Sequence, residues 1–582
     1  MAVVNFLRRA GISGAFFPAL FIVGAVNAQP VPDRPDAGTI LQGVPPIREQ
    51  PRPAGEPPLP AAPKPAMSVA SNVKVTLKAV RFTGNVIFGE AVLRDAVRDF
   101  LNKEQNAEGL EELLRTVASV YRGAGYFLAQ AYFPRQDLTD GNLQIHVLEG
   151  VIGKVSVQSE PDARLRQSVA ERYLSTIQPG QVASESAIER PLLLLQDLPS
   201  AKVTSTLGPG AKPGEADLKV QIGDSGRRLS GIAEVSNWGN KYAGTIQAGG
   251  QVFLSNPTGF GDLLSVRALV SQDNLTSVYG VSYALPVGSY GTKFGLNYSQ
   301  LNYRLGGSFS PLGANGELTF ATALVIHPFV RSRNFNLFGQ LSVGQKQVTD
   351  RLDTLFTEEK RKVDDVRIGV FGDSRDFLLG GGLNSYSATI TSGQLRINTP
   401  AALAADQTPL FGQGTNGSFS KLNLEGRRVQ KLSDNVVVAL GVNYQTTNKN
   451  LASIEKLSAG GPQAVRAFAV GEGLSDEALI YHVEVRYKVP KLSLFGANLQ
   501  VVGFFDGAEV NRFHQQPTSD VGATGSLNPN KRSLHGAGFG FRIGSDNKFA
   551  LVADFAWKMG NEPSQSDVNR NPRGWLHGIL YF

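Results

Sequence analysis

Residues 227–582 form one long run of short segments in which apolar and polar residues alternate, and this run constrains the fold more than any other feature. A period of two is that of a β-strand, whose successive side chains point to opposite faces of a sheet. About sixteen such segments exceed what an ordinary β-sandwich contains. An even number of amphipathic strands instead predicts a closed membrane barrel of antiparallel strands, with an apolar outer face and a water-filled lumen.

The twelfth of these segments, residues 478–489, shows the alternation most clearly. One face carries only apolar and tyrosine side chains, and the other carries four successive ionisable residues, which would be costly to bury in a dry core. We therefore expect the ionisable face to line a wet pore. A soluble β-sandwich with one wet face remains the alternative interpretation. The predicted pore-lining residues are His482, Arg486 and Lys488, with Glu484 between them.

The first 28 residues are typical of a secretory signal peptide. They combine a positive end at Arg8 and Arg9, a short apolar core and a small residue at Ala28. The apolar core is shorter than the roughly 20 residues that a membrane-spanning helix needs. We therefore expect export of the chain, which leaves the periplasm, the outer membrane or the exterior as its location.

Residues 29–72 are predicted to be a proline-rich linker. Twelve prolines lie between residues 29 and 67, and proline removes a backbone donor and fixes φ, which favours an extended and poorly ordered chain. A helix across residues 36–49 would be short because it would meet Pro45 and Pro46. We therefore do not expect a regular helix here.

Two adjacent modules follow, at residues 73–151 and 152–226. Each has about 75 residues and the same predicted order of strand, two helices and two strands, which indicates an internal repeat. The first module is predicted as Val73–Phe82, Glu90–Leu101, Leu110–Tyr121, Phe127–Phe133 and Leu143–Leu148. The second is predicted as Ile152–Val157, Ala163–Leu174, Glu185–Gln196, Lys202–Leu207 and Asp217–Ile222.

Composition excludes several classes of protein. The chain has no cysteine, so a disulfide framework, a thiolate nucleophile and a cysteine metal site are excluded. Its six histidines follow no metal-ligand spacing, and no nucleotide-binding or hydrolase motif occurs. A net charge of +7 is small for 582 residues and points to no nucleic-acid partner. We expect neither a metal nor a cofactor, and no enzymatic activity.

Motifs spread over the chain after the linker resemble those of the two-partner secretion (type Vb) transporters, the TpsB or haemolysin secretion-activation family of the POTRA-plus-barrel superfamily. The resemblance implies two periplasmic POTRA modules (POTRA 1 and POTRA 2) before a barrel in the outer membrane of a Gram-negative bacterium. The motifs that carry it are Gly125-Tyr126, Phe133 to Leu138, Glu149-Gly150, Leu192 to Pro199 (LLLLQDLP), Gly214 to Leu218, Asn237 to Asn240 and Asn256 to Asp262.

Two further motifs concern the mechanism. Val465-Arg466-Ala467-Phe468, in the long connection between the eleventh and twelfth strands, is similar to the family's VRG(Y/F) loop tip, with alanine in place of glycine. The resemblance implies that this loop folds into the barrel and that its arginine contacts an acidic residue of the wall. Gly503 to Gly507 is similar to the family's F-x-D-G wall motif, which makes Asp506 the expected acceptor and Glu484 a second one.

A guanidinium that pairs with a carboxylate makes two parallel, charge-assisted hydrogen bonds and so fixes orientation as well as position. Such an anchor would offset the entropy lost when a long loop is ordered inside a pore. The alternative interpretation is that Arg466 is a solvated loop arginine. The Ala467 substitution also puts the backbone shape of the tip in question, because glycine reaches positive φ more easily.

The resemblance implies a pore that recognises an unfolded secreted exoprotein through its POTRA modules and passes it to the cell surface. The exoprotein would be a large β-helical adhesin or haemolysin. Further expected partners are the outer-membrane lipid and the barrel-assembly machinery, which would read the aromatic terminus Phe582. A barrel-assembly insertase, a passive porin and an outer-membrane enzyme are the alternative functions.

Overall fold

The computed structural model describes most of the chain, and the expected signal peptide and much of the linker lie outside the described residues. The segment 34–45 contains a short helix, α1 (Ala37–Leu41). Within the described part of the chain, no helix is both long enough and apolar enough to cross a membrane. The described residues are 34–45, 74–224, 226–494, 497–521, 528–545 and 548–582.

POTRA 1 is a small sheet covered by helices. The three-stranded sheet has the order β2-β5-β4, with β2 and β5 parallel, and β1 pairs separately with β3. The predicted strand Val73–Phe82 is therefore wrong as a single element, because the chain changes pairing partner at the buried Leu77. The elements are β1 Lys74–Thr76, β2 Ala79–Thr83, α2 Glu90–Ala96, β3 Glu104–Asn106, α3 Ala107–Gly123, β4 Gln130–Tyr132 and β5 Asn142–Leu148.

The Glu149-Gly150 motif closes this module. The Glu149 carboxylate is buried and accepts hydrogen bonds from the Val86 and Ile87 amides, both at 2.7 Å, and from the Tyr121 hydroxyl at 3.0 Å. Burial and the neighbouring carboxylate raise the pKa of the Tyr121 phenol above its usual range. Gly150 has φ +78°, a conformation that glycine adopts readily. The motif thus joins a loop, a helix and the start of the next module.

POTRA 2 repeats this plan with a larger core. Its sheet has the order β6-β8-β7, again with one parallel and one antiparallel pair. Leu192, Leu194 and Leu195 pack into the core, and the helix predicted from Ala163 begins instead at Gln167. The elements are β6 Val151–Ser159, α4 Gln167–Leu174, α5 Glu185–Gln196, β7 Ala201–Pro209 and β8 Glu215–Asp224.

The remaining strands form one closed, antiparallel, sixteen-stranded barrel, which confirms the predicted fold class. Closure is made by β24 against β9, where Phe582 and Gly231 exchange backbone hydrogen bonds. The strands are β9 Leu229–Ser236, β10 Gln247–Ser255, β11 Leu263–Ser271, β12 Thr276–Val287, β13 Thr292–Arg304, β14 Ala314–Arg331, β15 Phe335–Leu352, β16 Thr357–Asp376, β17 Gly382–Ile397, β18 Gly417–Lys431, β19 Val436–Thr447, β20 Glu477–Leu494, β21 Ala497–Asn511, β22 Lys531–Ser545, β23 Phe549–Met559 and β24 Arg573–Tyr581.

The twelfth barrel strand, β20, alternates as its sequence predicts. Val483, Val485 and Tyr487 are 40–48% exposed and point outward, whereas Glu484 and Arg486 are hydrogen-bonded to each other on the inner face. Because every strand of a closed sheet pairs with a neighbour on both sides, no unpaired strand edge faces the lipid. The lumen, in contrast, can hold charged side chains.

POTRA 2 docks on three turns at the adjacent end of the barrel, which we call the docking turns (residues 256–262, 288–291 and 332–334). The Arg331 guanidinium donates two hydrogen bonds to Asp197, at 2.7 and 3.0 Å, and Arg333 lies 3.2 Å from Glu189. Asp197 is the acidic residue of the LLLLQDLP motif. The motif therefore holds the module against the barrel.

The first docking turn needs its glycines for this contact. Gly259 and Gly261 have φ values of +87° and +81°. A methyl group built on Gly261 would lie 3.0 Å from Leu198 of POTRA 2, and one on Gly259 would lie 3.0 Å from Arg166. The turn thus combines a left-handed backbone with close approach, and both requirements favour glycine.

Reversing the charge of Arg331 should undock POTRA 2. Arg331→Asp places two carboxylates together where a largely buried, bidentate pair existed, and breaking such a pair costs about 3–5 kcal/mol. We expect trypsin to cleave the purified protein after Arg227 or Arg228 at least about tenfold faster. The charge swap Asp197→Arg/Arg331→Asp should return the rate toward wild type. Equal cleavage of all three proteins would contradict the docking role.

Candidate functional site

The connection between β19 and β20, residues 448–476, folds into the lumen, and we call it the lumen loop. Its tip contains Val465, Ala467 and Phe468, all with 0% exposure. The loop folds on itself through a bridge between Leu457 and Ser475 and another between Gly460 and Val465. A loop this deeply buried needs partners on the barrel wall for its polar groups.

Arg466, at the tip, meets two carboxylates of the wall. Its Nε and Nη2 donate to the two oxygens of Asp506 at 2.8 and 2.7 Å, and its Nη1 donates to Glu484 Oε1 at 2.7 Å. The backbone amide of Arg466 also donates to Asp506, at 3.2 Å. With Arg466 4% and Asp506 0% exposed, this is a buried, charge-assisted and bidentate contact.

Three residues at this site were not identified from the sequence. The Phe504 ring lies under the guanidinium, 3.4 Å from its central carbon to the ring centroid. Trp575 Nε1 donates to the Arg466 carbonyl at 2.7 Å, and Asp554 lies 3.7 Å from Arg466 Nη1. Alternation places Phe504 on the face of Asp506, so its contact was accessible to sequence reasoning. Asp554 and Trp575 lie two and three strands beyond Asp506, on β23 and β24, and alternation within a strand does not show that the loop tip reaches them.

The charges of the site balance along a chain of contacts. Glu484 also accepts two hydrogen bonds from Arg486, at 2.9 and 2.6 Å, and Asp554 accepts two from Arg542, at 2.6 and 3.0 Å. Three guanidinium groups therefore face three carboxylates. Balance matters here because a buried charge without a partner is strongly destabilising.

The other predicted site residues divide into two groups. His482 Nδ1 lies 3.1 Å from Asp506 Oδ1, so this histidine belongs to the anchor as well as to the pore wall. Phe468 packs under the Lys558 ammonium, 4.5 Å from the ring centroid, and Val465 packs in the apolar cluster around the tip. Lys488 is exposed on the lumen face, away from the tip.

Ala467 occupies the glycine position of the motif without a left-handed backbone, since it does not have a positive φ. Its methyl group instead packs against Gly536 of β22, where a built Cβ would lie 2.5 Å from the Ala467 Cβ. Gly536 on the wall thus makes room for the methyl group that Ala467 adds to the loop tip. Gly538 and Gly540 follow Gly536 on the same inner face, so this part of β22 projects no side chain into the lumen.

The lumen loop has two further ionic attachments. Glu455, 2% exposed, contacts the ammonium groups of Lys346 on β15 and Lys421 on β18. Glu472, 1% exposed, accepts from Arg532 at 2.8 Å and from backbone amides of the connection between β23 and β24. The loop is therefore attached on three sides of the barrel.

The segment 34–45 corrects the prediction of an extended linker for this part of residues 29–72. Asp36 caps α1 by accepting from the Thr39 amide at 3.0 Å, and it also accepts from Ser453 of the lumen loop. Ala37 and Ile40 are buried in the lumen at 1% and 2% exposure. The helix is only five residues long, in agreement with the doubt about a regular helix. Aspartate is a preferred N-cap residue, so Asp36 could have indicated the start of this helix from the sequence.

Gly536→Ala should displace the loop tip. The added methyl group would meet Ala467 at 2.5 Å, and such overpacking costs about 1–3 kcal/mol. We expect a lower melting temperature of the folded barrel, measured by its heat-modifiable gel mobility. The double variant Ala467→Gly/Gly536→Ala removes the opposing methyl and should recover most of the loss. No recovery would show that the Trp557 carbonyl, 3.2 Å from the same built Cβ, dominates instead.

Gly38→Val should expel the N-terminal segment from the lumen. A Cβ on Gly38 would lie 2.5 Å from the backbone of Ser453 and Ile454, a cost of about 1–3 kcal/mol. The unseated fraction should rise by roughly 10- to 100-fold. Higher conductance in planar bilayers and faster proteinase K cleavage within residues 34–45 would report it. The matched control is Gly89→Val, whose built Cβ meets nothing within 4 Å; unchanged conductance of Gly38→Val would contradict the seating.

Comparisons with known proteins identify the family. Residues 214–542 match the model of the haemolysin secretion/activation protein ShlB/FhaC/HecB, and residues 75–150 match the ShlB-type POTRA domain. The heme/hemopexin transporter protein HuxB of Haemophilus influenzae is 26% identical and is aligned over 94% of this chain and 95% of its own. The outer membrane transporter CdiB of Dickeya dadantii is 24% identical over 76% and 77%.

A solved structure shares the fold. CdiB from Escherichia coli superimposes with a TM-score of 0.68, covering 90% of this chain and 94% of that one, at 19% sequence identity. The resemblance inferred from the motifs is thereby confirmed. The chain belongs to the haemolysin secretion/activation protein family of outer-membrane transporters, pores that pass a partner exoprotein from the periplasm to the cell surface.

Proposed function

We propose that this transporter exports an unfolded, β-helical exoprotein of the adhesin or haemolysin type, and that the contact of Arg466 with Asp506 and Glu484 holds the lumen loop in the shape that transport requires. The observation that carries the proposal is the buried, charge-balanced network around Arg466. A passive porin would explain the barrel but not the POTRA modules that precede it. The similarity to a heme/hemopexin transporter protein makes a haem-related exoprotein a second candidate cargo.

The POTRA modules are the proposed capture site. Among the described residues, the edge strands of their sheets are β2 and β4 in POTRA 1 and β6 and β7 in POTRA 2. The start of β6 is covered, because Ile152 exchanges backbone hydrogen bonds with Gly180 and Gln181. An extended chain can add to the other edges through backbone hydrogen bonds. POTRA 2 is docked beside the lumen, so a captured chain would enter the pore directly. No nucleotide is needed if folding outside the cell prevents return.

Two alternative functions are less well supported. A barrel-assembly insertase shares the architecture, but the matching family model describes secretion proteins. A catalytic role is less well supported, because His482 contacts Asp506 and Glu484 is held by two arginines. We propose a transport role without catalysis, in contact with outer-membrane lipid, after insertion by the barrel-assembly machinery.

Deletion of this gene tests the proposal directly. The deletion strain should retain in the periplasm one large exported protein that the wild type releases, and mass spectrometry of the culture medium identifies it. A gene for a large exported protein beside this one would supply the first candidate. An unchanged secretome would overturn the proposal.

Arg466→Ala should abolish release of that exoprotein while the barrel still inserts. Removing one partner of a buried charge network costs about 3–5 kcal/mol, because Asp506 loses its guanidinium partner and Glu484 keeps only Arg486. The exoprotein in the medium and the heat-modifiable barrel in outer membranes are measured together. Arg396→Ala is the control, since its side chain is 56% exposed and pairs with Asp364 outside this network. Normal release of the exoprotein by the Arg466→Ala variant would contradict the anchor role.

A further inference from the structure

Among the described residues at the periplasmic end of the barrel, the turn between β16 and β17, residues 377–381, carries the longest run of exposed apolar side chains, and we call it the rim turn. Phe377, Leu378 and Leu379 are 90%, 63% and 72% exposed. The turn on one side, residues 332–334, contains only polar or charged residues, and the turn on the other, residues 432–435, has one apolar residue, Leu432, which is 53% exposed. Three successive large apolar side chains in water are unfavourable unless something covers them during function.

The rim turn is rigidly built. The Gln430 amide donates to the carbonyls of Leu378, Leu379 and Gly381 at 2.9, 3.2 and 3.1 Å. Arg428 holds Asp376 with two hydrogen bonds, at 2.7 and 3.0 Å, and Asp376 accepts from the Leu378 amide. Leu379 has φ +49°, a strained conformation for leucine. The turn is thus held in one shape that presents its apolar side chains outward.

Membrane lipid is a poor match for this turn. The outward side chains of β16 run from Val366, Ile368 and Val370, each more than 40% exposed, to Ser374 and then Asp376. The apolar band of this strand therefore ends before the Asp376–Arg428 ion pair. The rim turn lies on the periplasmic side of that pair, where the surroundings are aqueous.

Further apolar residues line the lumen wall above the rim turn, in two groups that Asp373 and Ser385 of the same inner face separate. Leu383, 43% exposed, follows the turn on the inner face of β17. Farther up the same wall, Phe338 and Phe371 stack with ring centroids 5.2 Å apart and an interplanar angle of 13°. Both rings lie on the inner faces of their strands, in register with each other, and share the inner face of β15 with Lys346, which contacts the lumen loop.

The rim turn also adjoins the POTRA 2 interface. Arg333 of the third docking turn contacts Glu189 of POTRA 2, and the neighbouring Asn334 carbonyl accepts from the Arg375 amide at 2.7 Å. Arg375 lies two residues before Phe377 in the chain. A polypeptide that leaves POTRA 2 on this side therefore meets the rim turn before it reaches the lumen.

We propose that these residues form an entry track that binds extended apolar segments of the exported polypeptide between POTRA 2 and the lumen. The inference rests on the proposed function. An unfolded exoprotein exposes the apolar residues that it later buries in its own core, and these are the chemical complement of the track. The entry track consists of Phe377, Leu378, Leu379, Leu383, Phe338 and Phe371.

Site-specific photocrosslinking tests the track without removing any apolar contact elsewhere. A photoreactive amino acid replaces Leu378 or Phe371 in cells that export the exoprotein identified by the deletion experiment. Both positions should give adducts with the exoprotein. Two control positions should not: Asp434, whose side chain is 91% exposed on the same rim, and Ile368, which is 63% exposed on the lipid face.

A matched pair of variants adds a functional readout. Phe377→Ser/Leu378→Ser should lower release of the exoprotein about tenfold, the effect of losing about one buried apolar contact, whereas Phe377→Leu/Leu378→Met should retain it. Release is normalised to the folded barrel in outer membranes. Wild-type release by the serine variant, adducts with lipid alone, or equal adducts at Asp434 would overturn the track. Wild-type cells that release no exoprotein would overturn the proposed function instead.

Discussion

Closure of the sheet is the constraint on which the rest of this structure depends. Lipid cannot solvate a free strand edge, so all sixteen strands must pair in a ring. A ring of this size encloses a lumen too wide for its own inward side chains to fill. The lumen loop and the segment 34–45 fill the end of the lumen that lies opposite the docking turns. Their position inside a wet barrel decides which contacts can hold them.

Charge pairs, rather than apolar packing alone, connect the lumen loop to the wall. Glu455, Arg466 and Glu472 each meet wall residues of opposite charge on different sides of the barrel. Apolar packing has little directional preference, whereas hydrogen-bonded charge pairs fix both distance and orientation. The charged contacts therefore define the shape of the loop inside a wet lumen, which is the role proposed for Arg466.

Much of this architecture could be predicted because a period of two survives in every strand. The face of Asp506 and the inward face of β20 followed from alternation, and the loop tip followed from its motif. Asp554 and Trp575 were missed, because alternation within a strand does not tell which strands meet a loop that crosses the lumen. The segment at Asp36 was hidden by its composition, since prolines on both sides of a five-residue helix resemble a linker.

The LLLLQDLP motif contributes both to the core of POTRA 2 and to the docking of that module on the barrel. Its leucines are buried in the core of POTRA 2, and its aspartate reaches out of the module to Arg331 of the barrel. A module that folds correctly thus places its docking group at the same time, because Asp197 directly follows the helix that the leucines pack. The docking turns and the rim turn lie side by side, so this coupling also sets where a polypeptide leaving POTRA 2 first meets the pore.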